Sequence, residues 1–151
     1  MESPTDTKAS TMILVLCIGN SCRSQMAEAF LTRAGGASVT VSSAGTHPSV
    51  VNPLTIEVLC ERDIDWSMAR SKPMTEFLDH PFDVVVTVCA EAAEACPVFP
   101  GGGRRIHAPF DDPATISGTR DQRLAGYRRI RDEIEAWATE FVARELEPVS
   151  D

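Results

Sequence analysis

An apolar run with no polar alternation, Met12, Ile13, Leu14, Val15 and Leu16, stops at Cys17 and gives way to Ile18, Gly19, Asn20, Ser21, Cys22, Arg23 and Ser24. Five residues are too few for a helix, and unbroken apolarity means both sides meet apolar neighbours, so the run reads as a central strand of a parallel sheet. Met26, Ala27, Phe30, Leu31 and Ala34 then recur at helical spacing, and Gly35-Gly36 supplies a stop. Residues 17–24 therefore join a strand's carboxyl end to a helix's amino end. There backbone N–H groups and the helix dipole converge on a tetrahedral oxyanion, and the guanidinium of Arg23 adds two parallel hydrogen bonds. The same field stabilises a thiolate, drawing Cys17 from the usual value of about 8.5 toward neutrality and making it a nucleophile aimed at the bound centre. The expected oxyanion-binding set is Ile18, Gly19, Asn20, Ser21, Cys22, Arg23 and Ser24, with the Cys22 side chain packed behind the loop.

Other elements follow from the same periodicities. Val39 and Val41 alternate with hydroxyl residues, giving a second strand over 38–42. Asn52-Pro53 opens a helix whose Leu54, Val58 and Leu59 face inward, with Cys60 read as a small buried residue. Residues 63–72 form a connector without an assigned role, and 74–78 add a helical turn. Phe82 to Val88 is the second strongly apolar run and ends in Cys89; the stretch 91–95 favours helix until Cys96-Pro97. A short last strand is expected at 104–107 and a proline-bounded loop at 109–113. From Thr119 a long helix is expected, because Tyr127, Ile130, Ile134, Trp137 and Phe141 step by three and four. The resulting expectation is one α/β domain over 12–146, between a flexible tail at 1–11 and a frayed end at 147–151. It is a four-stranded parallel sheet with helices on both faces. Open α/β sheets bind ligands at the carboxyl ends of their strands, so Cys17 and Cys89 are expected to face one crevice.

A formal charge of −8 makes neither nucleic acid nor an anionic membrane a natural partner, and an anionic substrate needs the local field around Arg23. No stretch is apolar enough to span a membrane, and the first eleven residues lack a basic then apolar leader, so a cytoplasmic location is expected. A reducing compartment keeps five widely spaced cysteines as thiols. His47, His80 and His107 are scattered, and the Cys17/Cys22 and Cys89/Cys96 spacings suit zinc poorly, so no metal and no bound cofactor is expected.

The stretch from Cys17 to Ser24 resembles the signature of the low-molecular-weight protein tyrosine phosphatase fold. Extended through Gln25, Met26, Ala27 and Glu28, it resembles most the thioredoxin-coupled arsenate reductases built on that fold. The resemblance covers nearly everything from Met12 to about Phe141. It implies a nucleophilic Cys17, an attacking Cys89, a resolving Cys96 and a general acid at Asp112, directly before Pro113. Turning arsenate into arsenite takes two electrons, which two thiols deliver by becoming a disulfide; hydrolysing a phosphate ester needs only one nucleophile and an acid. The alternatives are a small-phosphoester or tyrosine phosphatase working through a Cys17 phosphoenzyme, and a non-catalytic oxyanion-binding module. Ala114 stands where tyrosine phosphatases usually carry an aromatic residue, which argues against that activity. Thioredoxin is the implied reductant, with mycothiol and glutathione systems as alternatives.

Two narrower expectations remain. Some relatives hold a monovalent cation near residues matching Asn20, Glu28 and Ser43, with an acidic residue where this chain has Lys72, so the lysine ammonium either replaces that ion or is a solvated surface group. Regular helix between Cys89 and Cys96 would hold their Cα atoms about 10 Å apart. A disulfide tolerates no more than about 7 Å, so the stretch 90–95 is expected to unwind when they pair.

Overall fold

A computed structural model of the chain describes residues 10–90, 99–101 and 103–146. Cys96, the helix expected over 91–95 and its unwinding, residues 1–9 and residues 147–151 lie outside the described residues.

Strands β1 (Thr11–Cys17), β2 (Val39–Gly45), β3 (Val84–Thr87) and β4 (Arg104–His107) form one parallel sheet in the order β2-β1-β3-β4. β1 is central, as its unbroken apolarity requires: residues 13–16 are fully buried. Ile13, Val15 and Cys17 point to one face and Leu14 and Leu16 to the other. Helices α1 (Arg23–Gly35), α2 (Pro53–Cys60) and α3 (Arg120–Phe141) bury their apolar stripes together on the first face. Among the described residues, the second face is covered by the 3₁₀ turn Met74–Phe77 with Phe82 and Phe99, so helical elements flank both faces unevenly.

The helix signals operate as written in the sequence. Asn52 accepts from the Leu54 amide at 2.9 Å, with Pro53 at the first helical position. Thr119 and Gln122 form a reciprocal capping box at the start of α3. α3 buries Leu124, Tyr127, Ile130, Ile134, Ala138 and Phe141, while Trp137 stacks on Phe141 and meets Phe110 edge-on. Its Arg131 is buried and donates to Val58 O at 3.1 Å and to Glu61 at 2.7 Å, fastening α3 to the end of α2.

Three details differ from expectation. β2 runs to Gly45 rather than stopping at 42, because its whole length pairs with β1. β3 keeps only four residues of the 82–88 run; Phe82 instead joins the aromatic cluster with Phe77 and Phe99. Cys60 is exposed, not buried: one step beyond inward-facing Leu59, it is turned by about 100° to solvent. Among the described residues no helix is long and apolar enough to cross a membrane.

Candidate active site

The loop after β1 is held open by its own carbonyls. Ile18 O accepts from the His47 amide at 2.9 Å, Gly19 O from the Ser49 amide at 3.1 Å and Ser71 Oγ at 2.7 Å. Asn20 O accepts from Ser71 Oγ at 2.9 Å and Gln25 Nε2 at 3.1 Å, and Ser21 O from the Asn52 amide at 3.2 Å. A trans peptide puts its N–H opposite its C=O. Four carbonyls drawn outward therefore turn the amides of Gly19, Asn20, Ser21 and Cys22 toward the concave side. Asn20 takes the one left-handed turn in the loop, at φ 50°. Asparagine tolerates that conformation better than most residues. At the end of β2 a Cβ on Gly45 would lie 2.3 Å from Ile18 O, so only glycine lets the loop close down there.

The cavity has a volume of about 210 Å³ and is lined by residues 17–23 with Asp112 and Ala114. No aromatic side chain is among these residues. Arg23 is only 8% exposed; it donates to Phe110 O at 3.0 Å and stands 3.6 Å from Asp112. Asp112 caps the 3₁₀ turn Pro113–Thr115 by accepting from the Ala114 amide at 3.0 Å, which sets its carboxyl at the cavity rim.

Cys17 sits at the cavity floor and is buried. A hydrogen bond from Cys89 to its sulfur is the main cause that brings its pKa down to about 7; the charge of Arg23 and the Ile18 amide act the same way, while burial and Asp112 oppose them. Cys89, two residues past β3, is likewise buried, so the two strand ends bring both thiols together. The Cys22 thiol lies 3.6 Å from the Tyr127 hydroxyl, and burial pushes that thiol up.

Behind the loop lies a network that the sequence indicated only in outline. Asn20 Nδ2 donates to Ser24 Oγ at 2.8 Å and Ser43 Oγ at 2.9 Å, and Asn20 Oδ1 accepts from Gln25 Nε2 and from the Lys72 amide, both at 2.9 Å. Ser43 Oγ donates to Glu28 at 2.6 Å. Lys72 is not a solvated surface group: its side chain is 13% exposed, its ammonium donates to Arg70 O at 3.0 Å and lies 3.9 Å from Glu28. Burial raises the Glu28 pKa and lowers that of Lys72. Gln25, Trp66 and Ser71 went unassigned in the sequence. The available signal was polarity in an improbable place: Arg23, Ser24 and Gln25 open α1, and all three are buried. Of the expected set, Cys17, Arg23, Asp112 and residues 18–22 line one cavity, Cys89 lines an adjoining cavity that shares Ile18, Arg23 and Asp112, Ser24 lies behind the loop, and Cys96 falls outside the described residues.

Residues 12–148 match the family model described as low molecular weight phosphotyrosine protein phosphatase. An arsenate reductase of Halalkalibacterium halodurans is 43% identical over 123 residues, which are 82% of this chain and 88% of the relative. A solved arsenate reductase in its phosphate-binding state superposes with a TM-score of 0.75 at 29% identity, covering 89% of this chain and 98% of that one. A thioredoxin-dependent arsenate reductase of Corynebacterium glutamicum gives a TM-score of 0.69 at 28% identity, covering 91% of this chain and 62% of that one.

Proposed function

We propose that this chain, which belongs to the low molecular weight phosphotyrosine protein phosphatase family, reduces arsenate to arsenite. The reading rests on one observation above the others: a second thiol, Cys89, is hydrogen-bonded to a Cys17 whose pKa is near 7, at the floor of an anion cavity. A hydrolase has no use for that second thiol. An enzyme that must deliver two electrons requires it.

Arsenate enters the cavity, where the loop amides and Arg23 take its oxygens. The Cys17 thiolate attacks arsenic, forming an S–As(V) bond, and an oxygen leaves as water with a proton from Asp112. Cys89, as thiolate, then attacks the Cys17 sulfur. The S–As bond breaks with its electron pair passing to arsenic, which departs as arsenite, As(III), and a Cys17–Cys89 disulfide remains. Cys96 attacks Cys89 in turn, freeing Cys17 and leaving a Cys89–Cys96 disulfide that an external dithiol reduces. Thioredoxin in a reducing cytoplasm is the reductant proposed, since an internal resolving cysteine makes a small thiol unnecessary. Ala114 and the lack of aromatic lining among the described residues favour a bare oxyanion over a phosphotyrosine ring.

The test is arsenate-dependent NADPH consumption in the presence of thioredoxin and thioredoxin reductase. The expected result is multiple turnover with arsenite as product, abolished in Cys89→Ser. Hydrolysis of an aryl phosphate without thiol, together with no arsenate-dependent NADPH consumption, would replace this reading by a phosphatase.

A further inference from the structure

We propose that Trp66 is a positioning residue for the oxyanion loop, acting through the side-chain amide of Gln25. Gln25 is fully buried in the first turn of α1, and its Oε1 accepts from Trp66 Nε1 at 2.8 Å. An indole N–H can only donate, so this contact requires oxygen at the end of the amide that faces Trp66. The amide NH₂ is then committed to the opposite side, where it meets three acceptors: Asn20 Oδ1 at 2.9 Å, Asn20 O at 3.1 Å and Arg70 O at 3.1 Å. An amide turned end for end would set oxygen against oxygen at all three. Trp66 therefore anchors the oxygen end of Gln25, and with its NH₂ on the backbone carbonyls of Asn20 and Arg70 the amide is held where it pulls the Asn20 carbonyl away from the cavity and presents the Ser21 amide to the oxyanion.

The effect runs past Gln25 because each donor fixes the next group. With Gln25 Nε2 and the Lys72 amide both donating to Asn20 Oδ1, Asn20 Nδ2 has to face Ser24 and Ser43, and Ser43 in turn gives its proton to Glu28. The chain Trp66, Gln25, Asn20, Ser43, Glu28 thus has a single donor sense, beginning at the one group that cannot accept. It also supports the left-handed turn at Asn20, which has no glycine to relieve it. Trp66 is suited to this work by its own setting. Its ring is partly buried against the core and walls a surface cavity of about 380 Å³ with Ile56, Cys60 and Ile64, so it stands as a plug between solvent and Gln25. It lies 49 positions from Cys17 in sequence and makes none of the contacts lining the anion cavity, so its action is indirect.

The inference rests on the reading of this loop as the reacting site, but not on which oxyanion turns over. Its test uses inorganic phosphate and Cys17 alkylation, so its failure is distinguishable from failure of the coupled arsenate assay. Iodoacetamide labelling of the Cys17 peptide is followed by mass against pH, with and without phosphate, in wild type, Trp66→Phe, Gln25→Met and the double variant. Trp66→Phe keeps the ring and removes only the N–H. The expected result is an upward shift of the labelling midpoint and an increase of about five- to tenfold in the phosphate needed for half-protection, the size of one lost buried hydrogen bond. The double variant should be no worse than Gln25→Met. An unchanged midpoint and unchanged protection in Trp66→Phe would overturn the proposal, and additive losses in the double variant would overturn the route through Gln25. Should Trp66→Phe fail to fold, Gln25→Met alone must reproduce both shifts, and its failure to do so refutes the idea equally.

Discussion

Behind the loop, Asn20, Ser24, Gln25 and Ser43 are fully buried and joined by neutral hydrogen bonds, whereas at its front Asp112 is 37% exposed and stands 3.6 Å from Arg23. The two sides face the same seven residues and hold them by different means. Neutral bonds in a low-dielectric interior are directional and costly to leave unmade, so the rear fixes geometry. A carboxyl at the rim keeps access to water and can change its proton without breaking the frame. In the proposed mechanism, rigid positioning and proton supply thus fall to opposite faces of one short loop. Damage to the rear should therefore lower stability and activity together, and damage to the front should lower activity alone.

The largest effect belongs to Cys17, the proposed nucleophile, which both sides serve. Cys17→Ser should lower arsenate reduction by at least about 10⁴-fold, measured in the coupled assay, with oxyanion binding retained. Next come paired substitutions that separate the two faces. Asn20→Ala takes away the donor to the hydroxyl oxygens of Ser24 and Ser43 and removes the side chain that favours φ 50°; it should cost about 2–4 kcal/mol of unfolding free energy by urea titration and reduce turnover as well. Asp112→Asn keeps the acceptor for the Ala114 amide, so it should lower kcat about 10²-fold while leaving the urea midpoint nearly unchanged. A loss of stability in Asp112→Asn equal to that in Asn20→Ala would erase the distinction.

Much of this was legible in the sequence, and the reason lies in periodicity. β1, α1 and α3 announce themselves because each must bury an unbroken or regularly spaced apolar face, and the caps Asn52 and Thr119 are local chemistry that needs no tertiary context. Cys17 and Arg23 were legible for a second reason: an anion loop at a strand-to-helix junction limits which residue types can stand there. Asp112, before Pro113 in a loop of its own, was legible only through the resemblance. The connector 63–72 gave no such signal. It has no period, and its Trp66, Arg70 and Ser71 gain their roles only where Lys72 O pairs with the Gly45 amide at 2.9 Å and lays the segment along the end of β2, Lys72 having been singled out by the resemblance alone. Cys60 misled for the converse reason, since residue type alone favoured burial and helix phase decided otherwise.

Smaller effects sharpen the comparison further. Cys17 labelling in wild type should rise through a midpoint near pH 7, because the folded site lowers the thiol and the reactive thiolate accumulates above that value. Cys89→Ala removes the main stabilising hydrogen bond, so the midpoint should move up and labelling at pH 7 should fall several-fold. At the rear, the Lys72 ammonium near Glu28 already supplies a positive charge, so exchanging sodium for potassium should leave the melting temperature unchanged within about 1 °C. A strong rise of both activity and melting temperature with potassium would show that the lysine does not stand in for an ion.

The relay itself is tested most directly by a single turnover of the Cys96→Ser protein. Reduced enzyme is mixed with one equivalent of arsenate without thioredoxin, quenched by alkylation and mapped by mass. One arsenite released per enzyme together with a Cys17–Cys89 disulfide is the predicted result. Free, alkylatable Cys17 and Cys89 with arsenate unchanged would contradict the account.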